Sequence, residues 1–480
     1  MFFLRIQNIS DNVVSLPKEL GGALAAGQQR LVPIDLSPLI GGMVGLDDLR
    51  ADGKVVAEIV PVGGKGASIG NDLIGRVTVG QSEIDLYIDA NGNDLTGDGS
   101  PSNPFRTLGR AFKSLPPVFG RGAHVRLWLG PGTFEPIDLR HLQGAPPFSA
   151  FFAESPLHII GSVDVLFDSQ GYSFTVSEEA NTGLGLVTLS PDPGWQPDQF
   201  AGKLLRISPP SGSLTNDFSN YTPIIGNTSN VLTIAEEYYL YGQSRFIIYE
   251  PATIIDGQSG WAVFTGAGAP LLHLQQLKLQ GNYGISTGCN EAFIAGCIID
   301  VSSYYNVSGD AYIYGSYHRN GRISYSASGM LLQAALVEDV SISAYNLQMV
   351  ELLGVYAKNS TIRAFAGATL RTWDFVSDGT PITLYSMSHA SFEGQNFIKN
   401  IQGDAITVRG GSQLLAAYSY HIKGDQASIT GYGFNVESGI VRLGNNTTLS
   451  GSSGDFLIHG VARSYADLPV DDGHVWVGLI

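Results

Sequence analysis

The sequence predicts an all-β fold dominated by a parallel β-solenoid, because two ladders of residues recur in phase about every twenty positions. A period of this length is typical of stacked repeats, in which each unit buries its apolar face only against its neighbours. Leucine-rich repeats have a similar period, but their Leu-x-x-Leu-x-Leu frame is absent here. The first ladder consists of Gly296, Gly315, Ala335, Gly354, Asp374 and Gly394, and the second of Ile323, Ile342, Ile362, Ile382, Ile406 and Ile429.

Composition favours turn-rich β structure and narrows the range of partners. Charged residues are 15% of the 480 residues and 60 are glycine, against about 25% charged and about 7% glycine in an average protein. The net charge of −16 opposes binding to nucleic-acid phosphates and insertion at anionic membranes. We expect neither partner. Cys289 and Cys297 have no metal-ligand spacing and are expected to be buried thiols.

Residues 1–80 predict a separate small α+β module. Strands are expected at Phe2–Gln7, Arg30–Asp35 and Lys54–Val60, with a helix over Leu36–Arg50. The glycine-rich run Pro61–Gly70 that follows has the composition of a linker. A small module tethered ahead of a solenoid suggests an attachment piece. The N-terminal apolar run is too short for a signal peptide, so assembly in the cytoplasm is expected.

Residues 84–169 predict a capping helix followed by the first coils. A solenoid needs such a cap, since its first coil would otherwise expose apolar core and unpaired strand edges. The Asp- and Asn-rich stretch 89–98 fits Asx turns better than a calcium loop, because Asp94 and Ser100 occupy the Gly and Glu positions of an EF-hand. No metal or cofactor site is predicted. One helical face would contain Phe105, Leu108, Ala111, Phe112 and Leu115.

The same segment resembles the beginning of right-handed parallel β-helices of the pectate-lyase-like type. The resemblance rests on the strand and turn at Leu86–Gly99, the helix start at Pro104–Leu108 and the turn at Gly130–Phe134. It covers residues 84–165 by motif and 253–460 by period. A β-helix behind a small N-terminal module is similar to bacteriophage tail spikes and tail fibres. The fold class is therefore a right-handed parallel β-helix with an N-terminal α+β module.

The remaining domain boundaries are predicted at the positions where the repeat of about twenty residues is interrupted. Between residues 170 and 252 short strands predict a small inserted β-barrel, which is also similar to a module of phage tail proteins. The main β-helix is expected over 253–460. Residues 461–480 are expected to form a C-terminal cap or an oligomer contact, because Val475–Ile480 is apolar and such ends are usually buried.

The resemblance implies a role on the virion. A tail spike or fibre subunit would be a homotrimer, assembled in the host cytoplasm and located on the tail. Residues 1–80 would dock to other tail or neck proteins, and the β-helix would bind bacterial surface polysaccharide for host attachment. A structural, receptor-binding protein is favoured over the alternative, a depolymerase acting as a glycosidase or a lyase. Whether the chain is an enzyme stays open, because one fold hosts many functions.

In a solenoid, residues one period apart in the sequence lie next to each other on adjacent coils. Two sets of charged residues have this spacing and are expected to form ladders. Glu338, Lys358 and Asp378 are spaced 20 and 20, and Glu351 and Arg371 are 20 apart. Opposite charges facing each other across strands stabilise a sheet surface. We therefore expect mutual neutralisation on a solvated face rather than catalysis.

If the chain is an enzyme, Asp374 and Glu393 are the candidate glycosidase pair. They are 19 residues apart, hence on neighbouring coils, and no cationic ladder partner is expected for them. Paired carboxylates suit retaining or inverting glycoside hydrolysis, according to their separation. The alternative is a site between subunits that uses Asp300, Asp310 or Asp404. The candidate glycan-stacking residues are Trp373, Tyr314 and Tyr317, and whether the tyrosines point inward or outward stays open.

Overall fold

The structure, a computed structural model, describes most of the chain. Two compact units are distinguished, the first formed by Met1–Ile84, Phe112–Val125 and His141–Pro156, and the second by Asp85–Ala111, Arg126–Arg140 and Leu157–Ile480. The described residues are 2–8, 14–15, 23–24, 29–34, 55–61, 83–115, 124–139, 156–179, 184–207, 220–235, 245–265, 271–287, 291–307, 310–325, 329–346, 348–416, 421–424, 426–443, 449, 451–458, 462–464 and 475–479.

The first unit contains an antiparallel sheet of three strands. Phe2–Asn8 is the central strand, flanked by Gln29–Ile34 and Val55–Pro61. The three predicted strands are thus confirmed, with ends that differ by one residue. The short strands Val14–Ser15 and Ala23–Leu24 pair with each other. The predicted helix over 36–50 and residues 62–70 of the predicted linker lie outside the described residues.

The predicted capping helix is present at Leu108–Ser114. Asp94 holds the segment before it, because its carboxylate accepts hydrogen bonds from the backbone N–H of Arg106 at 2.8 Å and of Thr107 at 3.0 Å. The Thr107 Oγ1 atom then accepts the N–H of Arg110 at 3.1 Å, as a helix N-cap does. Asp89 forms an Asx turn to the N–H of Asn91 at 2.8 Å. The acidic stretch therefore builds turns, as the sequence indicated.

The second unit contains the parallel β-solenoid, which confirms the predicted fold class. Each regular coil has three short strands, and we call the three resulting surfaces faces A, B and C. In one coil they are Met349–Leu353, Tyr356–Lys358 and Thr361–Ala364. Each strand pairs in parallel with its counterpart in the next coil.

Face A begins at Glu83–Ile88 and His124–Leu129 and ends at two antiparallel strands, Val475–Leu479 and Ala462–Ser464. The C-terminal strand therefore covers the edge of the last coil. The strands between them are Leu157–Gly161, Leu272–Gln275, Glu291–Ala295, Asp310–Tyr314, Gly329–Gln333, Met349–Leu353, Thr369–Trp373, His389–Glu393, Ser412–Ala416 and Gly439–Leu443.

Faces B and C form one continuous sheet. The long strands Leu277–Thr287 and Ile298–Val307 run across both faces. Face B otherwise comprises Gly132–Phe134, Thr253–Asp256, Tyr317–Arg319, Leu336–Glu338, Tyr356–Lys358, Val376–Asp378, Gln395–Lys399 and His421–Gly424, and face C comprises Ile137–Asp138, Trp261–Phe264, Arg322–Tyr325, Ser341–Ala344, Thr361–Ala364, Ile382–Leu384, Ile406–Val408, Tyr432–Val436 and Gly454–Ile458. A short 3-10 helix lies at Gln426–Ser428.

The turn from face A to face B explains the first predicted ladder. Its first residue has a left-handed backbone in successive coils, and its N–H donates to a carbonyl of the following coil, for example Gly315 to Gln333 at 2.9 Å. One position was wrong in the prediction: the left-handed residue is Ala334, with a φ of 49°, rather than Ala335. Two consecutive alanines gave the sequence no means of choosing between them. Gln276 has the same left-handed backbone in the coil before the ladder, and the left-handed residues after it are Gly296, Gly315, Ala334, Gly354, Asp374 and Gly394.

The second ladder forms an aliphatic stack inside face C. Ile323, Ile342, Ile362, Ile382 and Ile406 are buried and paired in register from one coil to the next. The prediction fails at the last step, where Phe434 rather than Ile429 pairs with Ile406. The coil that contains Phe434 is longer, so the fixed period no longer places the residue.

The insertion is an antiparallel sheet of seven strands with its own apolar core. Trp195, Phe200 and Phe246 are buried in that core. A second apolar cluster joins the insertion to face B, with Tyr221 and Tyr249 contributed by the insertion. The strands in spatial order are Val163–Asp168, Phe246–Pro251, Leu204–Ile207, Tyr221–Asn227, Val231–Ile234, Gly185–Ser190 and Ser173–Glu178.

The cysteines and the possible membrane-spanning helices can be compared with the expectations from the sequence. Cys297 is fully buried, and burial raises the pKa of its thiol to about 12, as expected for an inert thiol. Cys289 lies outside the described residues. Within the described ranges, no helix combines the length and the apolar character that crossing a bilayer requires.

Candidate functional site

Face B carries a row of alternating charges, here called the charged row: Asp300, Arg319, Glu338, Lys358, Asp378 and Lys399, in register from coil to coil. The Lys358 Nζ atom lies 2.8 Å from Glu338 Oε1, and Lys399 Nζ lies 3.5 Å from Asp378 Oδ2. The predicted ladder of Glu338, Lys358 and Asp378 therefore exists, and neighbouring charges neutralise one another. It extends further in both directions than the sequence indicated.

A second row on the same face, here called the tyrosine row, contains Ile298, Tyr317, Leu336, Tyr356 and Val376. The Tyr356 hydroxyl donates to Asp378 Oδ2 at 2.5 Å, and the Tyr317 hydroxyl donates to Glu338. Burial raises the pKa of both phenols, and the adjacent carboxylates raise it further. The tyrosine row thus fixes the positions of carboxylates in the charged row.

Glu338 is held ionised by its surroundings. Burial alone would raise the pKa of this carboxyl, but the hydrogen bonds from Lys358 and Tyr317, together with the Lys358 charge, bring it below its ordinary value. The hydrogen bond to Glu338 in turn raises the pKa of Lys358. Both groups are therefore charged at neutral pH.

A cleft of about 330 Å³ separates the insertion from face B. On the solenoid side it is lined by both rows and by Lys278, and on the other side by Lys203 and Glu250 of the insertion. The Lys203 Nζ atom lies 2.5 Å from Glu250 Oε2. Sequence reasoning missed Lys203, Glu250 and Lys278, because the insertion has no periodic relation to the coils it faces.

Of the two candidate stacking tyrosines, Tyr317 lines this cleft and Tyr314 does not. Tyr317 is 8% exposed, and its ring packs against Gly202, where an added β-carbon would lie 3.0 Å from the ring. Tyr314 is half-buried against the apolar cluster that joins the insertion to face B. Both rings point outward from the coil, and the insertion covers much of their surface. The side chains of Tyr304, Tyr305 and Tyr325 lie outside the described part of the chain.

The candidate pair on face A has a different environment from the predicted one. Trp373 is 38% exposed and pairs in register with Glu393. The expectation that Glu393 lacks a cationic partner is wrong, because Arg371 donates to both of its carboxylate oxygens at 3.0 and 2.8 Å. The same guanidinium donates to Glu351 at 2.9 Å. It therefore bridges carboxylates on the preceding and following coils.

Asp374 occupies the left-handed turn position, with a φ of 51°. Its Oδ1 atom accepts the backbone N–H of Gln395 at 2.6 Å. Burial raises the pKa of Asp374, against the opposing effects of hydrogen bonds from Gln395 and Trp373. Hydrogen bonds from Arg371 lower the pKa of Glu393. The pKa values of the two carboxyls therefore shift in opposite directions, as those of an acid and base pair do.

The alternative acids lie in separate places. Asp300 belongs to the charged row and accepts a hydrogen bond from Asn320 at 2.9 Å. Asp404 accepts the backbone N–H of Tyr432 at 2.9 Å and the side-chain amide of Asn435 at 2.7 Å. Asp310 begins a strand of face A. Among the residues that the structure describes, no group of His, Cys, Asp and Glu side chains is arranged to hold a metal ion.

Comparison with known proteins gives only distant likenesses. No protein-family model matches the sequence, and no curated protein matches it. The chain is similar to XylC, solved in complex with xylose, with 7% identity over 81% of this chain and 88% of that chain and a TM-score of 0.24. A glycoside hydrolase has 10% identity over 69% and 96% of the two chains, with a TM-score of 0.20.

A third solved structure is the Pseudomonas phage phi297 tailspike gp61. It has 11% identity over 74% of this chain and 73% of that chain, with a TM-score of 0.20. Identities and scores this low carry no argument about activity. The chain is a β-solenoid protein, and its function has to be inferred from its own residues.

Proposed function

We propose that this chain is a subunit of a phage tail spike or tail fibre that binds a bacterial surface polysaccharide through its solenoid. The observation that carries the proposal is the cleft between the insertion and face B. Its lining combines ammonium, guanidinium and carboxylate groups with phenol hydroxyls. Sugar hydroxyls both donate and accept hydrogen bonds, so a lining that mixes donors and acceptors suits a carbohydrate ligand.

The direction of the two rows suits a polymer. The charged row crosses successive coils at the strand spacing of about 4.8 Å, and opens into the cleft at Asp300, Arg319, Glu338 and Lys358. A chain of repeating sugars lying along the solenoid would therefore meet similar groups at regular intervals. A small ligand would contact only one or two coils of the charged row.

The virion part of the proposal is supported by the sequence of residues 84–165 and by the separate N-terminal sheet. In this proposal residues 1–80 dock to tail or neck proteins, three chains form the spike, and the solenoid faces the host. Deleting residues 1–80 should abolish incorporation into particles and leave polysaccharide binding intact. Loss of both properties would argue against a dedicated attachment module.

The binding test uses the full-length protein and a panel of immobilised bacterial capsular polysaccharides and lipopolysaccharides. Ala201 is exposed and lines the cleft without taking part in its ion pairs, so Ala201→Trp should fill the cleft and weaken binding at least tenfold. Val165 is 53% exposed on the insertion and lies outside the cleft lining, which makes Val165→Trp the matched control. Failure to bind any member, or equal binding by both variants, contradicts the proposal.

A second candidate function is cleavage of the bound polysaccharide. It is favoured by Asp374 and Glu393, whose pKa values shift in opposite directions, and by the exposed Trp373, which directly precedes Asp374 and pairs in register with Glu393. Incubation with the polysaccharide that binds, followed by assays for new reducing ends and unsaturated uronates, distinguishes a glycosidase, a lyase and a binding protein. Sustained turnover would replace the structural function with the depolymerase.

A further inference from the structure

Every carboxylate that lines the cleft is already engaged by a donor of the protein. Glu250 is paired with Lys203 at 2.5 Å, and Glu338 with Lys358 at 2.8 Å and with the Tyr317 hydroxyl. Asp300 accepts the Asn320 side-chain amide at 2.9 Å. The acceptors in the cleft are thus largely occupied within the protein.

Arg319 is in the opposite situation. It lies between Asp300 and Glu338 in the charged row and its side chain is exposed in the cleft. Both neighbouring carboxylates are drawn to other donors, and among the described residues no carboxylate oxygen lies within 4.0 Å of its guanidinium. Its charge still reaches Glu338, whose pKa it helps to lower. The planar set of N–H donors is therefore available to a ligand.

Lys278 is a second cation of this kind. Lys278 lies one coil before Ile298 and pairs with it in register, and it lines the same cleft. Within the described part of the chain it forms no salt bridge. The coils of Lys278 and Arg319 flank the coil of Ile298 and Asp300, and both cations line the cleft.

From this arrangement we propose that the cleft selects glycans bearing carboxylates, with Arg319 as the principal recognition residue and Lys278 as the second. A guanidinium matches a carboxylate bidentately, and such charge-assisted bonds are stronger than bonds between neutral groups. Uronic acids and sialic-type acids offer the same carboxylate and are both included. This inference rests on the proposed function, since it assigns the chemistry of the glycan that the cleft would bind.

The overall charge of −16 does not prevent this selection. The Debye length is about 8 Å at physiological ionic strength, so distant acidic residues are screened from a ligand inside the cleft. The charged side chains that line the cleft are Lys203, Lys278, Arg319, Lys358, Glu250, Asp300 and Glu338. Raising the salt concentration above the physiological value should weaken binding of an acidic glycan, because it screens the attraction in the cleft.

The test measures dissociation constants of the full-length protein for the bacterial polysaccharide panel, supplemented with polygalacturonate, polysialate and dextran. Each acidic polymer is measured in its native form and after chemical reduction of its carboxylates to alcohols. We expect binding to acidic members only, with at least a tenfold loss on reduction. Arg319→Gln and Lys278→Gln should each weaken acidic binding at least fivefold, while Arg363→Gln, exposed on face C, changes it less than twofold.

The outcomes separate the inference from the proposed function. Binding of a neutral polysaccharide, or equal binding of native and reduced polymers, overturns carboxylate selection and leaves glycan binding in place. Loss of acidic binding in Lys278→Gln but not in Arg319→Gln overturns the assignment of Arg319. If the wild-type protein binds nothing on the panel, the proposed function fails and this inference with it.

Discussion

A β-carbon added to Gly394 would lie 2.4 Å from the Oδ1 atom of Asp374, its counterpart on the preceding coil. Both residues have a left-handed backbone, with φ values of 62° and 51°. The same Oδ1 atom bonds to the N–H of Gln395. The Asp374 carboxylate therefore occupies the space that a side chain at position 394 would need. The residue at each of these two positions limits which residues fit at the other.

This contact predicts strong coupling between the two positions. Gly394→Ala should lower the free energy of unfolding by about 2–4 kcal/mol, the sum of a left-handed alanine and a steric clash. In an Asp374→Ala background the clash is reduced, so the same substitution should cost at least about 1 kcal/mol less. Chemical denaturation of the four proteins of this cycle measures the difference. An identical cost in both backgrounds would show that the cost comes from backbone strain and the clash with Trp373, and not from Asp374.

His318 predicts a pH dependence of stability. It is buried inside face B, between Ile299 and Val337 of the neighbouring coils, and burial lowers its pKa from 6.5 to about 4. Between these values the unfolded chain binds the proton more tightly than the folded one. The stability contributed by the neutral ring is therefore present above pH 6.5 and is lost as pH falls towards 4, about 2 kcal/mol of it at pH 5.

The measurement compares unfolding free energies at pH 7.5 and pH 5 in wild type and in His318→Val. The variant should lose about 2 kcal/mol less than wild type between the two pH values, because valine does not titrate. His389 is exposed, so His389→Val should behave as wild type does. A variant with the wild-type pH dependence would assign the titration to other groups.

Arg371 predicts a different pH response. Arg371→Met leaves Glu351 and Glu393 without their shared partner, with side chains that are 20% and 18% exposed. We expect a loss of about 1–3 kcal/mol at pH 7, limited because the guanidinium is itself partly exposed. The pKa of Glu393 is lowered in the folded state, so its stabilising contribution exists above the ordinary value of 4.5 and is lost as pH falls.

The deficit of Arg371→Met relative to wild type should consequently shrink below pH 4.5. Unfolding free energies at pH 7 and pH 3.5 test this. Arg363→Met removes an exposed arginine from face C and serves as the control, with a change within about 0.5 kcal/mol at both pH values. A deficit that is constant with pH would mean that packing of the arginine stem, rather than its charge, stabilises the coil.

The sequence predicted the parts of the fold in which the spacing of residues along the chain determines which residues lie next to each other on adjacent coils. Stacks such as Ile342 on Ile362, and pairs such as Glu338 and Lys358, follow directly from a constant coil length. The prediction failed where coil length changes, as at Phe434, and where two adjacent residues competed for one turn, as at Ala334. A period gives no information about positions where the chain departs from it.

The candidate site was less predictable for the same reason. Lys203 and Arg319 line one cleft, although they are over one hundred residues apart. Lys203 directly precedes a strand of the insertion, and Arg319 lies on face B. The reach of a long side chain was also invisible in the sequence. Arg371 pairs with Glu393 diagonally, across the coil step and along the strand, a contact that simple register does not reveal.

The assembly prediction concerns the intact chain. A homotrimer should have a mass of three times 51.1 kDa by light scattering. The C-terminal strand Val475–Leu479 pairs with Gly439–Leu443, so deletion of residues 459–480 should expose a strand edge and change the oligomeric state. A monomeric wild type would remove the trimer, whereas a trimeric deletion variant would show that the C-terminus only caps the solenoid.

If the polysaccharide is cleaved, Asp374 should act as the general acid and Glu393 as the base or nucleophile. Burial raises the pKa of Asp374, which favours a carboxyl that retains its proton, while Arg371 keeps Glu393 ionised. Asp374→Asn and Glu393→Gln should each lower kcat by about 10²–10⁴-fold, with little change in the polysaccharide dissociation constant. Asp339→Asn is the matched control, because Asp339 is exposed and asparagine accepts its left-handed backbone.

In the wild type, activity should fall at high pH as Asp374 loses its proton, and Asp374→Asn should lack that limb of the profile. Undiminished cleavage by both variants would eliminate the pair and direct attention to Asp300, Asp310 and Asp404 at contacts between subunits.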